Sequence, residues 1–188
     1  MRVIAGRFRG RKLKSPPSDR TRPTSDRLRE TLFNVLAPRI ERARFLDLCA
    51  GTGAVGIEAL SRGAEHVTFV DQSRQMCALI ETNVKALKID DDEVEVVAAE
   101  ALDFLRRRAK EQAMRFDIIF FDPPYTTNYE VALDFVGERA ETLLAEGGVM
   151  LVEHHKKKEL SERFGLLWRY RSLKQGDSCL SFYRRPAA

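Results

Sequence analysis

The sequence predicts an α/β fold in which a mostly parallel sheet carries helices on both faces. Short apolar runs alternate with helical patterns, acids follow several of the runs, and right-handed crossovers would bring those acids to one edge of the sheet. The length of 188 residues and the hydrophobic content of 44% suit one compact domain with its own core. The predicted strands are 45–48, 66–70, 94–98, 116–121, 149–153, 167–173 and 178–184, and the predicted helices are 24–36, 54–62, 73–88 and 129–144.

The first 29 residues are strongly basic. They contain ten Lys or Arg residues and two acids, whereas the net charge of the whole chain is only +4. Gly6 and Gly10 suit a turn between two short strands, so we predict a basic hairpin over residues 1–21 rather than a disordered tail. Its expected contacts with nucleic acid are Arg7, Phe8, Arg9, Arg11 and Lys12.

Residues 24–36 have the pattern of an amphipathic helix. Thr24 or Ser25 is a suitable N-cap, Leu28 and Leu32 belong to an apolar face, and Pro38 follows the last turn. The sequence favours a helix that packs on the remaining domain, which we expect to cover residues 22–188.

A glycine-rich turn follows the first predicted strand. Gly51 and Gly53 allow the backbone to pass close to a ligand, and the following helix directs free N–H groups at a carboxylate or phosphate. The second strand is followed by Asp71, whose carboxylate can accept both hydroxyls of a ribose. A dinucleotide-binding fingerprint has the same glycine spacing, with Gly56 as its third glycine, so the spacing does not separate these ligands.

Asp47 favours a cationic ligand over a pyrophosphate. It precedes the glycines within the first strand, where a negative charge would suit the ammonium and sulfonium of S-adenosylmethionine. Asp47 also suits a structural role as an acceptor for loop amides, and the two roles are compatible. Glu100 and Ala101 follow the third strand, where an acceptor can bind an adenine amino group; an ordinary first-turn glutamate is the alternative.

The tetrapeptide Asp122-Pro123-Pro124-Tyr125 follows the apolar run Phe116–Phe121. The Asp122 carboxylate and a carbonyl directed by the prolines can accept both N–H bonds of an exocyclic amine and turn its lone pair toward an electrophile. The prolines fix φ, and Tyr125 can stack on a base. A Pro-Pro turn capped by Asp122, with Tyr125 packed beside it, is the structural alternative.

These motifs together resemble a class I S-adenosylmethionine-dependent methyltransferase over residues 22–184, and the Asp-Pro-Pro-Tyr tetrapeptide resembles the motif of enzymes that methylate exocyclic amines. Residues 1–13, 22–34 and 176–183 are similar to the bacterial RsmD family, which methylates guanine N2 in small-subunit (16S) ribosomal RNA. The resemblance implies a Rossmann-like fold whose seven strands follow the order 3-2-1-4-5-7-6, the last strand in the chain being antiparallel.

The resemblance also implies the ligands and the site. The cofactor would be S-adenosyl-L-methionine, and the partner would be ribosomal RNA, either naked or within the assembling small subunit, bound by a monomer. The cofactor contacts would be Asp47, Gly51 and Gly53 for the methionine part, Asp71 for the ribose, and Glu100 with Ala101 for the adenine. Asp122, Pro123 and Tyr125 would hold the target amine, and Arg22, Pro23 and Thr24 would line the entrance for RNA.

Several classes of protein fit the sequence poorly. It contains neither an 18-residue apolar stretch nor a secretory pattern, so we predict a cytoplasmic protein without membrane contact. The three cysteines are too scattered for a metal knuckle, and the three histidines lack ligand spacing, so we predict no metal. An enzyme acting on adenine N6 or cytosine N4 in DNA or RNA stays open, as does, more distantly, a non-catalytic nucleic-acid-binding protein.

Overall fold

The structure is a computed structural model that describes residues 1–16, 26–111, 114–124 and 130–186. Its strands are β1 Arg44–Leu48, β2 His66–Asp71, β3 Val94–Ala98, β4 Phe116–Phe121, β5 Leu144–His155, β6 Arg163–Phe164, β7 Leu167–Gln175 and β8 Ser178–Arg184. Its helices are α1 Asp26–Leu36, α2 Ala54–Ser61, α3 Arg74–Leu87, α4 Ala101–Lys110, α5 Glu130–Glu138 and α6 Ala140–Leu143. The eight strands form one sheet in the order β3-β2-β1-β4-β5-β8-β7-β6.

The predicted α/β fold with a mostly parallel sheet and an antiparallel edge is confirmed, but the prediction of seven strands is wrong. The additional strand, β6, has two residues and pairs with β7, so it is too short to produce a period in the sequence. The predicted helix 129–144 is also wrong in part, because α5 ends at Glu138 and α6 begins at Ala140. Gly137 explains the close packing there, since a Cβ at this position would lie 2.1 Å from the Phe164 carbonyl oxygen.

The chain divides into two compact units, Met1–Ala99 and Glu100–Ala188. In the first unit, β1, β2 and β3 pair in parallel. All residues of α2 are buried, and α2 contacts both β1 and β2. The closest approach is at Gly56, where a Cβ would lie 2.2 Å from Cε1 of Phe69, so only glycine permits this packing.

The N-terminal hairpin, residues 1–13, is ordered within the first unit. Arg2 and Lys12 form an antiparallel bridge, and the Val3 N–H donates to the Arg11 carbonyl at 3.0 Å. Val3 and Leu13 are buried, whereas the basic side chains between them are exposed. The hairpin expected from the glycine spacing is therefore present. The predicted domain boundary at residue 22 lies outside the described residues and stays a prediction.

Two buried side chains of α2 hold the hairpin by its backbone. The Glu58 carboxylate accepts the N–H groups of Ile4 at 2.7 Å and Ala5 at 3.0 Å. Ser61 accepts the Arg7 N–H at its carbonyl, 2.8 Å away, and the Phe8 N–H at its hydroxyl, 3.0 Å away. Between these contacts lies Gly6, where a Cβ would lie 1.7 Å from the Ser61 carbonyl oxygen. Backbone groups therefore carry much of the docking.

In the second unit, β4 and β5 pair in parallel, and β5, β8, β7 and β6 pair successively in antiparallel fashion. Buried polar side chains in this sheet bind one another. The Ser178 hydroxyl donates to Glu153 at 3.0 Å, and His154 Nε2 lies 2.9 Å from the Ser181 hydroxyl. Burial lowers the pKa of His154, so this ring is held in its neutral form as a structural group.

We expect Glu58→Ala to release the N-terminal hairpin. The substitution leaves two partly buried backbone N–H groups without their acceptor, so the free energy of unfolding should fall by roughly 3 kcal/mol. Hydrogen exchange at Ile4 and Ala5 should accelerate, and limited proteolysis should cut within the hairpin. Glu65→Ala is the control, because Glu65 is exposed. Unchanged exchange at Ile4 and Ala5 in Glu58→Ala would show that Glu58 does not hold the hairpin.

Candidate functional site

The turn after β1 takes an unusual backbone conformation over residues 49–53. Cys49, Gly51 and Gly53 have φ values of 62°, 55° and 75°, in the region that favours glycine. A Cβ at Gly53 would lie 2.9 Å from Cγ1 of Ile80, whereas a Cβ at Gly51 would meet no atom within 4 Å. Gly53 therefore serves the packing of the turn, and Gly51 borders open space in which a ligand can approach the backbone.

Asp47 lies in β1 beneath this turn and is 1% exposed. Its Oδ2 accepts the Gly56 N–H at 2.9 Å, so the carboxyl group anchors the first turn of α2. Burial raises the pKa of Asp47 to about 7; the hydrogen bond from Gly56 opposes this rise, and the negative charge of Asp71 adds to it. The structural role that the sequence predicts for Asp47 is therefore present. A role of its carboxyl group in binding a cationic cofactor stays a prediction.

Asp71 ends β2 and links two loops. Its Oδ2 accepts the Gly51 N–H at 2.8 Å, and its Oδ1 accepts the Ser73 N–H at 2.8 Å. Each carboxylate oxygen has a second lone pair, so both oxygens can still accept a hydroxyl. Asp71 is half-buried, which leaves it accessible to a ligand while its backbone partners fix its orientation. This geometry suits a vicinal diol such as that of a ribose.

Glu100 and Ala101 begin the second unit. Glu100 caps α4, because its Oε2 accepts the Asp103 N–H at 3.1 Å. The ordinary role of a glutamate at the start of a helix, which is the alternative that the sequence indicates for Glu100, is therefore present. The Glu100 side chain is exposed and Ala101 is buried, so an interaction of Glu100 with an adenine amino group is compatible with the cap and stays a prediction.

Asp122 follows β4 within the second unit and is half-buried. Pro123 is buried and Pro124 is exposed, so the proline pair leaves the sheet directly after a strand whose residues are almost all buried. Tyr125 lies outside the described residues, as do Arg22 and Thr24. Asp122 thus occupies the carboxyl end of a strand that is parallel to β5, the type of position at which open α/β sheets bind ligands.

The predicted nucleic-acid contacts of the hairpin differ in their surroundings. Arg7 forms an ion pair with Glu93, and its Cζ lies 4.5 Å from the ring centroid of Phe8, which is half-buried. Arg9, Arg11 and Lys12 are exposed, and no ion pair involves them within the described parts of the chain. These three side chains are therefore more available to phosphates than Arg7 is.

Sequence reasoning missed two features. Glu58 and Ser61 lie in the pattern of a buried helix, and only the fold shows that they bind the hairpin. Residues 156–186 form a second basic segment, with nine Lys or Arg against three acids, and a charge count over both ends of the chain would have found it.

Among the described residues, no group of three or more His, Cys, Asp or Glu side chains is arranged to hold a metal ion. Within the same described residues, no helix is long and apolar enough to cross a membrane.

The fold, the glycine turn and the acids at the strand ends define a Rossmann-like α/β protein of the class I methyltransferase type. A family model described as "Conserved hypothetical protein 95" matches residues 1–184. The chain therefore belongs to this family, which is the RsmD family.

Similar proteins cover nearly the whole chain. "Ribosomal RNA small subunit methyltransferase D" of Haemophilus influenzae is 39% identical over 166 residues, which cover 85% of this chain and 81% of that protein. "Putative rRNA methyltransferase YlbH" of Bacillus subtilis is 37% identical, over 98% of this chain and 99% of its own length. The solved structure "Putative methyltransferase yhhF from Escherichia coli" matches with a TM-score of 0.86 and 34% identity, over 100% of this chain and 99% of that one.

We expect the stability of the chain to fall with rising pH because of Asp47. The folded pKa of about 7 exceeds the ordinary value of 3.8, so the folded state retains a proton that the unfolded state has lost between these values. The contribution of Asp47 is complete below pH 4 and is lost as pH rises through 7, a total of roughly 4 kcal/mol. Asp47→Asn should remove this dependence.

Urea unfolding of the wild type and of Asp47→Asn between pH 4 and 8 measures the effect. The difference between their free energies of unfolding should change steadily in favour of Asp47→Asn as pH rises. Glu65→Ala, which removes an exposed carboxylate of the same unit, is the control and should follow the wild type. A difference between wild type and Asp47→Asn that stays constant with pH would show that the Asp47 pKa is not raised.

Proposed function

We propose that this chain transfers a methyl group from S-adenosyl-L-methionine to the exocyclic N2 amino group of a guanine in small-subunit ribosomal RNA. The observation that carries the proposal is the Asp122-Pro123-Pro124 corner directly after β4, in a chain that belongs to a family whose curated members include ribosomal RNA methyltransferases. An acid and a proline pair suit the binding of a planar amine, and a binding-only protein has no need of them.

The residues after β1 and β2 fit the proposed cofactor. S-adenosylmethionine supplies an electrophilic methyl group on a positively charged sulfonium. Gly51 borders open space, and Asp71 retains lone pairs for the ribose hydroxyls on oxygens that two backbone amides orient. The buried Asp47 carboxyl lies near the turn, and a cationic ligand would favour its ionised form, whereas a pyrophosphate would disfavour it further. This preference supports a sulfonium cofactor over a dinucleotide.

Asp122 prepares the amine for attack in the proposed reaction. The lone pair of an aromatic amine is delocalised into the ring, so the amine is a poor nucleophile until its N–H bonds are held out of the ring plane. The Asp122 carboxylate accepts one N–H, and a backbone carbonyl of the proline corner accepts the other. The nitrogen lone pair then forms the new N–C bond as the C–S bond breaks, and the methylated amine loses a proton to Asp122 or to water.

A single labelling assay tests the proposal. The chain is incubated with methyl-labelled S-adenosylmethionine and, in parallel, with deproteinised ribosomal RNA, small ribosomal subunits and duplex DNA, followed by identification of the labelled nucleoside. We expect labelled N2-methylguanosine from RNA or from small subunits. Label in N6-methyladenine or N4-methylcytosine would contradict the guanine assignment, and label in DNA alone would contradict the RNA assignment.

Removing the Asp122 carboxylate should affect chemistry more than cofactor binding. We expect Asp122→Ala to lower turnover by about 100-fold, by analogy with the loss of one oriented polar group, while the cofactor affinity measured by calorimetry stays within about twofold. Asp134→Ala, which removes an exposed carboxylate from α5 of the same unit, is the matched control and should keep full activity. Wild-type turnover in Asp122→Ala would exclude Asp122 from the reaction.

We further propose that the N-terminal hairpin contacts RNA phosphates through its exposed cations. Arg9, Arg11 and Lys12 extend from a backbone that α2 holds in place, so binding would not require the hairpin to fold first. A preordered site loses less entropy on binding than a disordered tail does. The hairpin would therefore hold the RNA through its phosphates, at positions other than the guanine that reacts.

The salt dependence of RNA binding measures these contacts. Changing Arg9, Arg11 and Lys12 to Gln should reduce the slope of log affinity against log salt by about 2, since each phosphate neutralised on a single strand contributes roughly 0.7. A triple variant of Lys85, Lys110 and Arg139 to Gln removes the same charge from exposed positions elsewhere and is the control. Equal slopes in the hairpin variant and the wild type would exclude these three contacts.

A further inference from the structure

The antiparallel part of the second unit carries exposed aromatic rings among arginines. Trp168, the one tryptophan of the chain, is 47% exposed, and Tyr170 is 38% exposed. Large aromatic side chains are usually mostly buried, so two exposed rings close together on one strand need an explanation. We call this surface the arginine–aromatic face; it comprises Arg163, Trp168, Tyr170, Arg171 and Arg184.

Strand pairing brings these side chains to one side of the sheet. Trp168 pairs with Arg163 of β6 on one flank and with Arg184 of β8 on the other. Directly paired residues project from the same face. The register shifts between Arg169 and Arg171, which is the position of a bulge, and the bulge directs Tyr170 toward the ring of Phe182 and the guanidinium of Arg184.

The arginines are held close to the rings. The Arg163 Cζ lies 5.0 Å from the ring centroid of Trp168, and the Arg184 Cζ lies 4.9 Å from that of Tyr170. Arg163 Nε also donates to the Gly165 carbonyl at 2.7 Å, which fixes the guanidinium beside the indole. The face is thus an ordered array of planar groups, on which a nucleobase can stack either on a ring or on a guanidinium.

The charge of this face is not neutralised locally. Arg163, Arg171 and Arg184 are exposed, and none of them forms an ion pair with any residue in the described ranges. The neighbouring cations behave differently, since Lys156 pairs with Asp177 at 2.9 Å and Arg185 pairs with Glu141 at 3.2 Å. Three unneutralised guanidiniums beside two aromatic rings match a polyanion that carries planar bases.

We propose that the arginine–aromatic face binds single-stranded RNA, with bases stacked against Trp168 and Tyr170 and phosphates bound by Arg163, Arg171 and Arg184. The proposal rests on the proposed function, and it adds a second RNA contact on a unit other than the one that carries the N-terminal hairpin. A second copy of the chain is a poorer occupant, because a symmetric interface would set the same three arginines against each other.

The single tryptophan gives a direct readout of stacking. Polyuridine RNA is titrated into the full chain while the fluorescence of Trp168 is followed, and binding is measured in parallel by anisotropy of labelled RNA. We expect the fluorescence to be quenched with the same midpoint as the anisotropy change. RNA binding without quenching would overturn the proposal.

Variants separate the contributions of rings and charges. Trp168→Ala should weaken RNA binding at least about fivefold, the lower end of the range for one stacked base, whereas Met114→Ala, which truncates a side chain that is 69% exposed, should not. Arg171→Gln with Arg184→Gln should lower the salt dependence and leave Trp168 as reporter, and Lys110→Gln is the charge control. Cofactor affinity and the urea unfolding transition should stay unchanged in all of them, which shows that the chain remains folded.

The outcomes distinguish this proposal from the proposed function. If the wild type methylates ribosomal RNA but Trp168→Ala binds RNA with wild-type affinity, the face is not an RNA site and the proposed function stands. If RNA quenches Trp168 but no RNA is methylated, the face stands and the proposed function fails. Sedimentation that shows a wild-type dimer and a Trp168→Ala monomer would assign the face to a second copy and overturn the proposal.

Discussion

Carboxylates that accept backbone N–H groups hold the loops of the first unit in shape. Asp47 binds the Gly56 amide, and Asp71 binds the amides of Gly51 and Ser73 with its two oxygens. Both acids lie at the ends of paired strands, so the position of the sheet fixes the position of each loop. Hydrogen bonds to a charged acceptor are stronger than those between neutral groups. The same two side chains that organise the turn are those proposed to contact the cofactor, so loop geometry and ligand binding depend on one set of groups.

The charges of the chain are segregated along its length. Residues 1–29 carry a net charge of +8 and residues 156–186 carry +6, whereas residues 30–155 carry −10. The acidic middle holds the glycine turn and the strand-end acids, which suits a cofactor with a positive sulfonium. The two basic segments provide the hairpin and the arginine–aromatic face, which suit phosphates. The charges of the acidic middle and of the two basic segments largely cancel, so the net charge of +4 for the whole chain describes neither part.

Much of the fold could be predicted from local patterns, and the exceptions have physical causes. Val94–Ala98, Phe116–Phe121 and Ser178–Arg184 are strands with the predicted bounds, and each contains the β-branched or aromatic residues that are typical of strands. β6 was missed because its two residues become a strand only through β7. The break at Arg139 was missed because it depends on the packing of Gly137 against a distant segment, which periodicity does not report.

The candidate site, like the fold, could be predicted from the sequence only in part. Asp47 within the first strand, and Asp71 and Glu100 after the next two, could be proposed as site residues from the sequence. Their backbone partners are set by the path of the loops and are seen only in the structure. Glu58 could not be identified, since an acid among apolar helix residues gives no sign of which segment it will bind. Trp168 was part of a predicted strand, but the sequence pattern of that strand does not show that its ring is 47% exposed.

The manner in which the hairpin is anchored has an evolutionary consequence. Glu58 and Ser61 bind amide groups of the hairpin, which every residue except proline possesses, and Gly6 is the one hairpin position where contact excludes a side chain. In the proposed function, backbone atoms carry the attachment to α2, and side chains of the same segment carry the contact with RNA. Substitutions at Arg9 or Arg11, which form no ion pair among the described residues, can therefore alter the proposed RNA contact while these backbone anchors remain. The backbone anchors therefore leave the exposed side chains of the hairpin free to vary in sequence.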